Sequence, residues 1–324
     1  MTSAWEPNCS IAQLQARADL LQQIRRFFAG KKVLEVETPL LCQGIGTDPN
    51  LAYFSTQYLL ESQAHTYYLQ TSPEFCMKRL LAAGSGCIYQ ISKAFRNGEI
   101  GRYHNPEFSL LEWYRIGFNL HQLMDEAAEL LSSLLLVLNL KVERFSYQQV
   151  FKMHTGLDAL EFSLTAYRQC AINNKLEDAV LICGENHSVW LDYLFSFLVQ
   201  PQLGQQSICM VYDYPACQSS LARSKPQDHR VVERAEIFVL GVELANGYHE
   251  LTDAAEQKQR FEKELQLRKA NDLPVSGLDQ RFLNALEAGL PDCSGMAIGI
   301  DRLLMLITSN KAIEQVIAFP ANRA

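Results

Sequence analysis

The 324-residue sequence has little that would place it in or across a membrane. Its longest apolar run, Leu134–Leu138 with its neighbours, is too short to span a bilayer, and the N-terminus lacks a basic region followed by an apolar core. Positive charge is not in excess either, because the net charge is −7, which argues against a chain that binds nucleic acid. We therefore expect a cytoplasmic protein with no signal peptide and no membrane span.

Cysteine pairs at metal-binding or redox spacing are also absent. The chain has nine cysteines, an odd number, and none of them forms a Cys-x-x-Cys pattern. They are scattered among apolar neighbours, so we expect reduced and mostly buried thiols instead of a disulfide framework or a zinc site. The length is sufficient for one large domain or two ordinary ones with a substantial core.

The first third of the chain alternates between helical and extended patterns. Apolar residues recur at helical spacing over Ile11–Phe28, with Ser10 as a candidate N-cap and Gly30 as the stop. The arginines of this helix, Arg17 among them, are predicted to face solvent. Val33–Leu41 is predicted to be a strand that Pro39 ends, because proline cannot donate to a sheet ladder.

The stretch Phe95–Tyr114 carries the first candidate site. From Pro106 onward side chains alternate, which places Glu112 and Tyr114 on one otherwise apolar strand face, where a carboxylate needs a partner. The preceding loop holds two arginines, an acid, a histidine and an asparagine, a mixture that suits an anionic ligand such as a nucleotide. From the residues alone, an ordinary hairpin with a charged turn is an equally good interpretation.

A second candidate site lies on a predicted hairpin, Val231–Val239 and Val242–Leu251. In that register Glu236 and Glu243 are diagonal neighbours on one face, and two such carboxylates facing a triphosphate would suit Mg²⁺. The alternative is an exposed acidic face. Glu243 and Glu250 differ by an odd number, so both can reach one pocket only if a β-bulge separates them, and we predict that bulge at Asn246-Gly247.

Three segments together resemble the class II aminoacyl-tRNA synthetases of the lysyl type. FRNGEIGRYHNPEFSLLEWY (95–114) is similar to motif 2, Val33–Leu41 to motif 1, and GMAIGIDRLLM (295–305) to motif 3, in the expected order. ELANGYHEL (243–251) is similar to the segment that holds the lysine ammonium in that family. The resemblance implies an α+β fold, an antiparallel sheet flanked by helices, and a homodimer built on motif 1.

The resemblance also implies roles for individual residues. The ATP contacts that it implies are Arg96, Asn97, Gly98, Glu99, His104, Asn105, Glu243, Leu244, Gly299 and Arg302, with Arg96 and Arg302 as the catalytic pair and Mg²⁺ on Glu236 and Glu243. The amino-acid contacts that it implies are Ser72, Pro73, Glu74, Glu112, Tyr114, Asn246, Tyr248, Glu250 and Ala297. Two acids beside two tyrosines would hold an aliphatic cation such as lysine.

Three features of the chain depart from the lysyl synthetases. The first helix begins near residue 10, so we expect a single catalytic domain over 1–324, with a mainly helical insertion at about 144–204 and no anticodon-binding OB domain. Gly98 stands where the family has glutamate, and the acid follows as Glu99. Alanine at position 297 replaces the usual glycine, and the added methyl group could favour a different lysine isomer.

A bacterial family of truncated lysyl-synthetase paralogues fits this description. The resemblance to it implies activation of (R)-β-lysine with ATP and transfer to a lysine of elongation factor P, with no tRNA as acceptor. Two alternatives stay open at this point. One is a lysine-activating tRNA ligase, and the other is a non-catalytic paralogue that binds lysine or ATP and regulates a partner.

Overall fold

A computed structural model describes residues 5–219 and 221–324. Helices and strands follow one another in this order: α1 Ile11–Gly30, β1 Leu34–Glu35, β2 Leu41–Cys42, β3 Phe54–Leu60, β4 Gln63–Leu69, α2 Glu74–Ala82, β5 Ile88–Phe95, β6 Glu107–Ile116, α3 Leu120–Leu134, β7 Lys141–Ser146, α4 Tyr147–Thr155, α5 Leu164–Asn173, α6 Ala179–Cys183, α7 His187–Leu194, β8 Ser207–Pro215, β9 Val231–Val239, β10 Val242–His249, α8 Ala254–Ala270, α9 Gln280–Gly289, β11 Cys293–Gly299 and α10 Ile300–Ile307. Short 3₁₀ turns and a π-helical turn at Phe195–Val199 complete the regular structure in the described residues.

The chain forms two compact units. The first comprises Met1–Gly117 and Thr252–Ala324, and the second comprises Phe118–Leu251. In the part of the chain that the structure describes, no helix is both long and apolar enough to cross a membrane. All nine cysteines are free and five of them are buried, as the sequence predicts.

The first unit is built on strands in the order β1-β5-β6-β11, with β1 parallel to β5 and the other pairs antiparallel. A smaller antiparallel sheet has the order β2-β4-β3. Trp113 of β6 is fully buried, and its ring lies 5.7 Å from that of Phe28 in α1. Since side chains alternate along β6, Glu112 and Tyr114 point to the opposite face.

The expected first helix is confirmed, and the strand after it is not. Ser10 caps α1 with a capping box, and the helix ends at Gly30. The predicted strand Val33–Leu41 is wrong in extent, because only Leu34–Glu35 and Leu41–Cys42 pair, in two different sheets. The residues between these two short strands, which include Pro39, connect the sheet of β5 to the sheet of β4. Pro39 therefore lies in a connection between two sheets and does not end a single strand.

The second unit contains strands in the order β10-β9-β8-β7, with β7 parallel to β8 and the rest antiparallel. Helices α4 to α7 cover these strands with an aromatic core that includes Tyr147, Phe151, Trp190 and Phe195. The segment expected to be a helical insertion at about 144–204 therefore starts on a strand and is helical from Tyr147 onward. The assignment of the chain to one catalytic domain remains a prediction.

Candidate active site

The carboxylate of Glu112 is the centre of the site in the first unit. It is 3% exposed, and it accepts hydrogen bonds from Ser72 Oγ at 2.9 Å and from the Tyr114 hydroxyl at 2.7 Å. Ser72 Oγ in turn accepts a hydrogen bond from the backbone N–H of Glu74 at 3.0 Å. The expectation that Glu112 has partners is confirmed. Four of the residues predicted to bind the amino acid, Ser72, Glu74, Glu112 and Tyr114, are connected through these contacts.

Two neighbouring acids give this cluster its electrostatic character. Burial, together with the nearby charge of Glu74, raises the pKa of Glu112 to about 7, although the hydrogen bonds of Tyr114 and Ser72 and the charge of Lys78 oppose the rise. Lys78, which is 1% exposed, has its Nζ 2.5 Å from Glu74 Oε1. An ammonium group of a ligand beside Glu112, in addition to that of Lys78, would favour the ionised form of Glu112. Sequence reasoning missed Lys78, although its position four residues after Glu74 is a recognisable helical pairing.

Ala297 and Pro73 lie next to this cluster. Ala297 of β11 stands directly opposite Glu112 across the β6–β11 ladder, and Gly295 stands opposite Tyr114. Pro73 is the N-cap of α2, which begins at Glu74, and the proline makes no side-chain cap hydrogen bond. Ser72 Oγ instead accepts a hydrogen bond from the backbone N–H of Glu74.

The loop after β5 holds the first predicted catalytic arginine. The guanidinium carbon of Arg96 lies 5.0 Å from the centroid of the Phe108 ring, and Arg96 Nη1 lies 3.8 Å from Glu99 Oε1. Gly98 has φ of +78°, a conformation that L side chains rarely adopt. A glutamate at 98 would be strained, and the acid at 99 takes the place beside Arg96 instead. The backbone N–H of Asn97 donates to Ala52 O at 2.9 Å, which fixes the loop.

The second predicted catalytic arginine meets a predicted nucleotide-binding histidine. Arg302 Nη2 lies 2.8 Å from His104 Nε2, and Arg302 Nε donates to Tyr103 O at 3.2 Å. Arginine has no acceptor, so Nε2 of His104 accepts, and a proton on the neutral ring lies on Nδ1. Gly299 is the N-cap of α10, three residues before Arg302. The side-chain amide of Asn105 bonds only the backbone in these contacts. Its Nδ2 donates to Glu107 O, and its Oδ1 accepts from Ala321 N.

A buried ion pair fixes the helix that carries Arg302. Asp301 is 2% exposed, with one carboxylate oxygen 2.5 Å from Arg17 Nη2 and the other accepting from Ser109 N at 2.7 Å. The prediction that Arg17 faces solvent is wrong, because its side chain is 20% exposed and reaches this partner across the fold. Helical spacing on α1 alone could not show a partner 284 residues away.

The predicted metal pair lies in the second unit. Glu236 and Glu243 line one cavity of about 150 Å³, together with Asp192, Tyr214 and Arg234, which confirms that the two glutamates share a face. Burial raises the pKa of Glu236, Arg234 at 2.5 Å opposes the rise, and the charge of Glu243 adds to it. No group of three or more possible His, Cys, Asp or Glu ligands occurs among residues 5–219 and 221–324. Glu236 and Glu243 as a pair fit Mg²⁺, which keeps water and phosphate ligands, better than a closed structural metal site.

A β-bulge does separate Glu243 from Glu250, but not at the predicted position. The register of β10 against β9 shifts between Glu243 and Ala245, whereas Gly247 pairs regularly with Ala235. Leu244 is the extra residue, and it is 2% exposed, so its side chain anchors the bulge in the core. The existence of the bulge is confirmed and its placement at Asn246-Gly247 is wrong. Glycine permits a bulge, but here a buried leucine fixes where it forms.

Beyond the bulge the predicted lysine-binding residues follow one another on a single face. Asn246 pairs opposite Glu236 and Tyr248 opposite Arg234, and Asn246 Nδ2 donates to the Tyr248 hydroxyl at 2.8 Å. Glu250 follows the end of β10 and is 1% exposed. His187 and Asp192 of the same unit make contacts with other side chains of that unit. His187 bonds Tyr167 at 3.2 Å, and Asp192, which lines the cavity of Glu236, accepts from Gln218.

The strand-borne acids, the two arginines and the helix that starts at the third motif define a class II synthetase type of catalytic domain. Comparison with known proteins agrees, because the profile of the tRNA synthetases class II (D, K and N) matches residues 7–323. The chain belongs to this family, and the predicted α+β class II fold is confirmed.

More specific relatives are proteins named elongation factor P–(R)-β-lysine ligase. Those of Salmonella paratyphi B (strain ATCC BAA-1250 / SPB7), Salmonella schwarzengrund (strain CVM19633) and Salmonella heidelberg (strain SL476) are each 46% identical to this chain over 326 aligned positions. The alignment covers 100% of this chain and 99% of each relative. The resemblance inferred from the motifs is thereby confirmed over the full length of the chain.

Proposed function

We propose that this protein is an ATP-dependent ligase that activates (R)-β-lysine and transfers it to the ε-amine of a lysine on elongation factor P. The observation that carries the proposal is the full-length similarity to ligases of that name. In the first half-reaction a carboxylate oxygen of β-lysine attacks the α-phosphorus of ATP, and pyrophosphate leaves. In the second, the acceptor amine attacks the adenylate carbonyl, an amide forms, AMP leaves and the amine loses a proton.

The protein contributes positioning and charge to the first half-reaction. Arg96 contacts the α-phosphate, and Arg302, oriented by the Tyr103 carbonyl, contacts the distal phosphates together with His104. Glu99 takes over the contact with the adenine amino group that position 98 supplies in the family. The remaining nucleotide contacts use backbone groups, from Asn97, Gly98, Asn105 and Gly299 in the first unit and from Leu244 in the second.

The β-lysine contacts follow from the same motifs. In the first unit Glu112 binds an ammonium group of the ligand, Ser72 and Tyr114 hold that carboxylate in place, and Glu74, whose N–H orients Ser72, adds a second acid for the ligand. Asn246, Tyr248 and Glu250 of the second unit bind the same class of ligand. Ala297, directly opposite Glu112, places a methyl group beside the carboxylate and selects among lysine isomers.

Glu236 and Glu243 would hold Mg²⁺, which when bound neutralises phosphate charge. The pair suits this role because the two carboxylates face one cavity and the charge of Glu243 disfavours the ionised form of Glu236. We further propose a cytoplasmic homodimer associated through the motif 1 segment, with elongation factor P and no tRNA as the acceptor.

Pyrophosphate exchange tests the first half-reaction directly. Labelled pyrophosphate should enter ATP in the presence of (R)-β-lysine, more slowly with (S)-β-lysine or α-lysine, and not without an amino acid. Exchange that is absent with every isomer would favour a non-catalytic binding protein. The variant Ala297→Gly, which restores the residue usual in lysyl synthetases, should shift the preference toward α-lysine by about tenfold or less, the scale of one methyl group.

A further inference from the structure

Three side chains, those of Arg223, Glu233 and His249, are hydrogen-bonded to one another at the end of β10, next to Tyr248 and Glu250 in sequence. His249 is 7% exposed, with Nδ1 2.8 Å from Glu233 Oε2 and Nε2 2.6 Å from Arg223 Nη2. Sequence reasoning assigned no role to any of the three. Alternation along β10 directs His249 away from the face of Tyr248, so the histidine does not contact the ligand itself.

The donors and acceptors fix the state of His249. A guanidinium can only donate, so Nε2 of His249 must be the acceptor, and Nδ1–H must donate to Glu233. Although burial acts to raise it, the pKa of Glu233 is lowered, because the hydrogen bond from His249 and the charges of Arg223 and Lys225 favour the carboxylate. The result is an oriented chain Arg223–His249–Glu233, in which a neutral imidazole joins an arginine to an ionised glutamate.

The arginine of this chain belongs to a segment that fixes the backbone of Glu250. Arg223 N donates to His249 O at 2.9 Å, and Leu251 N donates to Leu221 O at 3.2 Å, so the segment 221–223 pairs with the residues on both sides of Glu250. On its other edge, Glu233 N donates to Arg223 O at 2.9 Å. Ala222, which bridges to Glu250, is fully buried. This segment therefore joins the start of β9 to the end of β10.

We propose that His249 is a positioning residue for amino-acid binding, which through Arg223 and Glu233 holds segment 221–223 against Glu250 and so sets the position of the Glu250 carboxylate. The proposal depends on the amino-acid-binding role proposed above for Glu250. Loss of the His249 imidazole removes two buried side-chain hydrogen bonds at the last residue of β10, next to the bridge between Ala222 and Glu250.

The test measures KM for β-lysine and for ATP separately in pyrophosphate exchange. His249→Phe keeps the ring volume and removes both hydrogen bonds, and it should raise KM for β-lysine about tenfold while KM for ATP changes less than about twofold. His249→Gln retains one donor and one acceptor and should recover most of the loss. His229→Phe, an exposed histidine of the same unit, is the matched control and should leave both constants unchanged.

A purely structural histidine would behave differently. His249→Phe would then lower the thermal midpoint or the active fraction and leave KM for β-lysine unchanged, and this outcome overturns the proposal, as does an equal rise of both KM values. If His249→Phe does not fold, Glu233→Gln decides by the same criterion, because it keeps the side-chain volume and weakens one bond. Exchange by the wild-type protein is measured alongside, so failure of the proposed activity is distinguishable from failure of the positioning role.

Discussion

The Glu112 carboxyl group is held by two hydroxyls in a buried position, next to a second acid. Its pKa of about 7 exceeds the ordinary value of 4.5 chiefly because burial disfavours the charge. The folded state therefore binds more protons than the unfolded state between these two values, and the free energy of unfolding falls as pH rises from about 4.5 to about 7. Above that range the charged group is a constant cost to stability, as is compatible with the binding role proposed for Glu112.

Replacing Glu112 by glutamine should separate stability from binding. At pH 8 Glu112→Gln should raise the thermal midpoint by about 2–4 °C, with a difference that disappears toward pH 5, because the amide carries no buried charge. KM for β-lysine should rise tenfold or more in the variant. In the wild type, KM should increase below about pH 7, where Glu112 becomes protonated, and this pH dependence should be absent from the variant. Calorimetry and exchange kinetics measure the two effects.

Glu107→Gln is the matched control for this experiment. Glu107 lies on the same strand with a side chain that is 51% exposed, so the substitution should change neither the midpoint nor KM. A Glu112→Gln protein that is less stable than the wild type at pH 8 would contradict the assignment of a penalised charge.

Glu99 offers a second prediction at this scale. Its position 3.8 Å from Arg96 follows from the left-handed backbone at Gly98. Glu99→Gln should raise KM for ATP about threefold to tenfold and leave KM for β-lysine unchanged, since it weakens the proposed adenine contact and the pairing with Arg96, both of which serve the nucleotide. Equal effects on both substrates, or none on ATP, would place the adenine contact elsewhere. Glu107→Gln again serves as the control.

At the scale of elements, the β-bulge at Leu244 decides which side chains of β10 share a face. Deleting Leu244 should restore a regular register in which Glu243 stays opposite Phe238 and Asn246 stays opposite Glu236, so Glu243 remains on the face of Asn246. Mg²⁺-dependent ATP binding and β-lysine binding, the latter measured by calorimetry without ATP, should then both remain. Leu244→Ala keeps the register and should retain both, with reduced stability. Loss of Mg²⁺-dependent ATP binding after the deletion would contradict the assigned bulge, because a bulge elsewhere would make the deletion turn Glu243 to the other face.

The junction of α1 and α10 gives an element-scale prediction about stability. Arg17→Met leaves the buried Asp301 charge with only the Ser109 N–H and should cost about 3–5 kcal/mol in the free energy of unfolding, measured by denaturant titration. Arg17→Lys keeps the charge and should cost less. Arg25→Met is the control, because Arg25 pairs with Glu35 at the surface, with a side chain that is 49% exposed. Equal costs at positions 17 and 25 would contradict the burial argument.

Local patterns predicted some features of the site and could not reach others. Alternation along β6 and β10 was sufficient to place Glu112 with Tyr114, and Asn246 with Tyr248, because a strand has a fixed side-chain period. The bulge at Leu244, the Arg17–Asp301 pair and the Arg223–His249–Glu233 chain all depend on partners distant in sequence. Spacing within one element carries no information about such partners. The motif resemblance supplied roles for residues, but not the contacts that orient them.

At the scale of the whole molecule, the central claim is that activated β-lysine ends on a protein lysine. The most direct measurement incubates the full chain with ATP, labelled (R)-β-lysine, elongation factor P and tRNA together, and then locates the label. We predict label on elongation factor P, in an amide that resists mild alkali. No label should be found on elongation factor P when the acceptor lysine is replaced by arginine. Label on tRNA alone, released by mild alkali, would contradict the account.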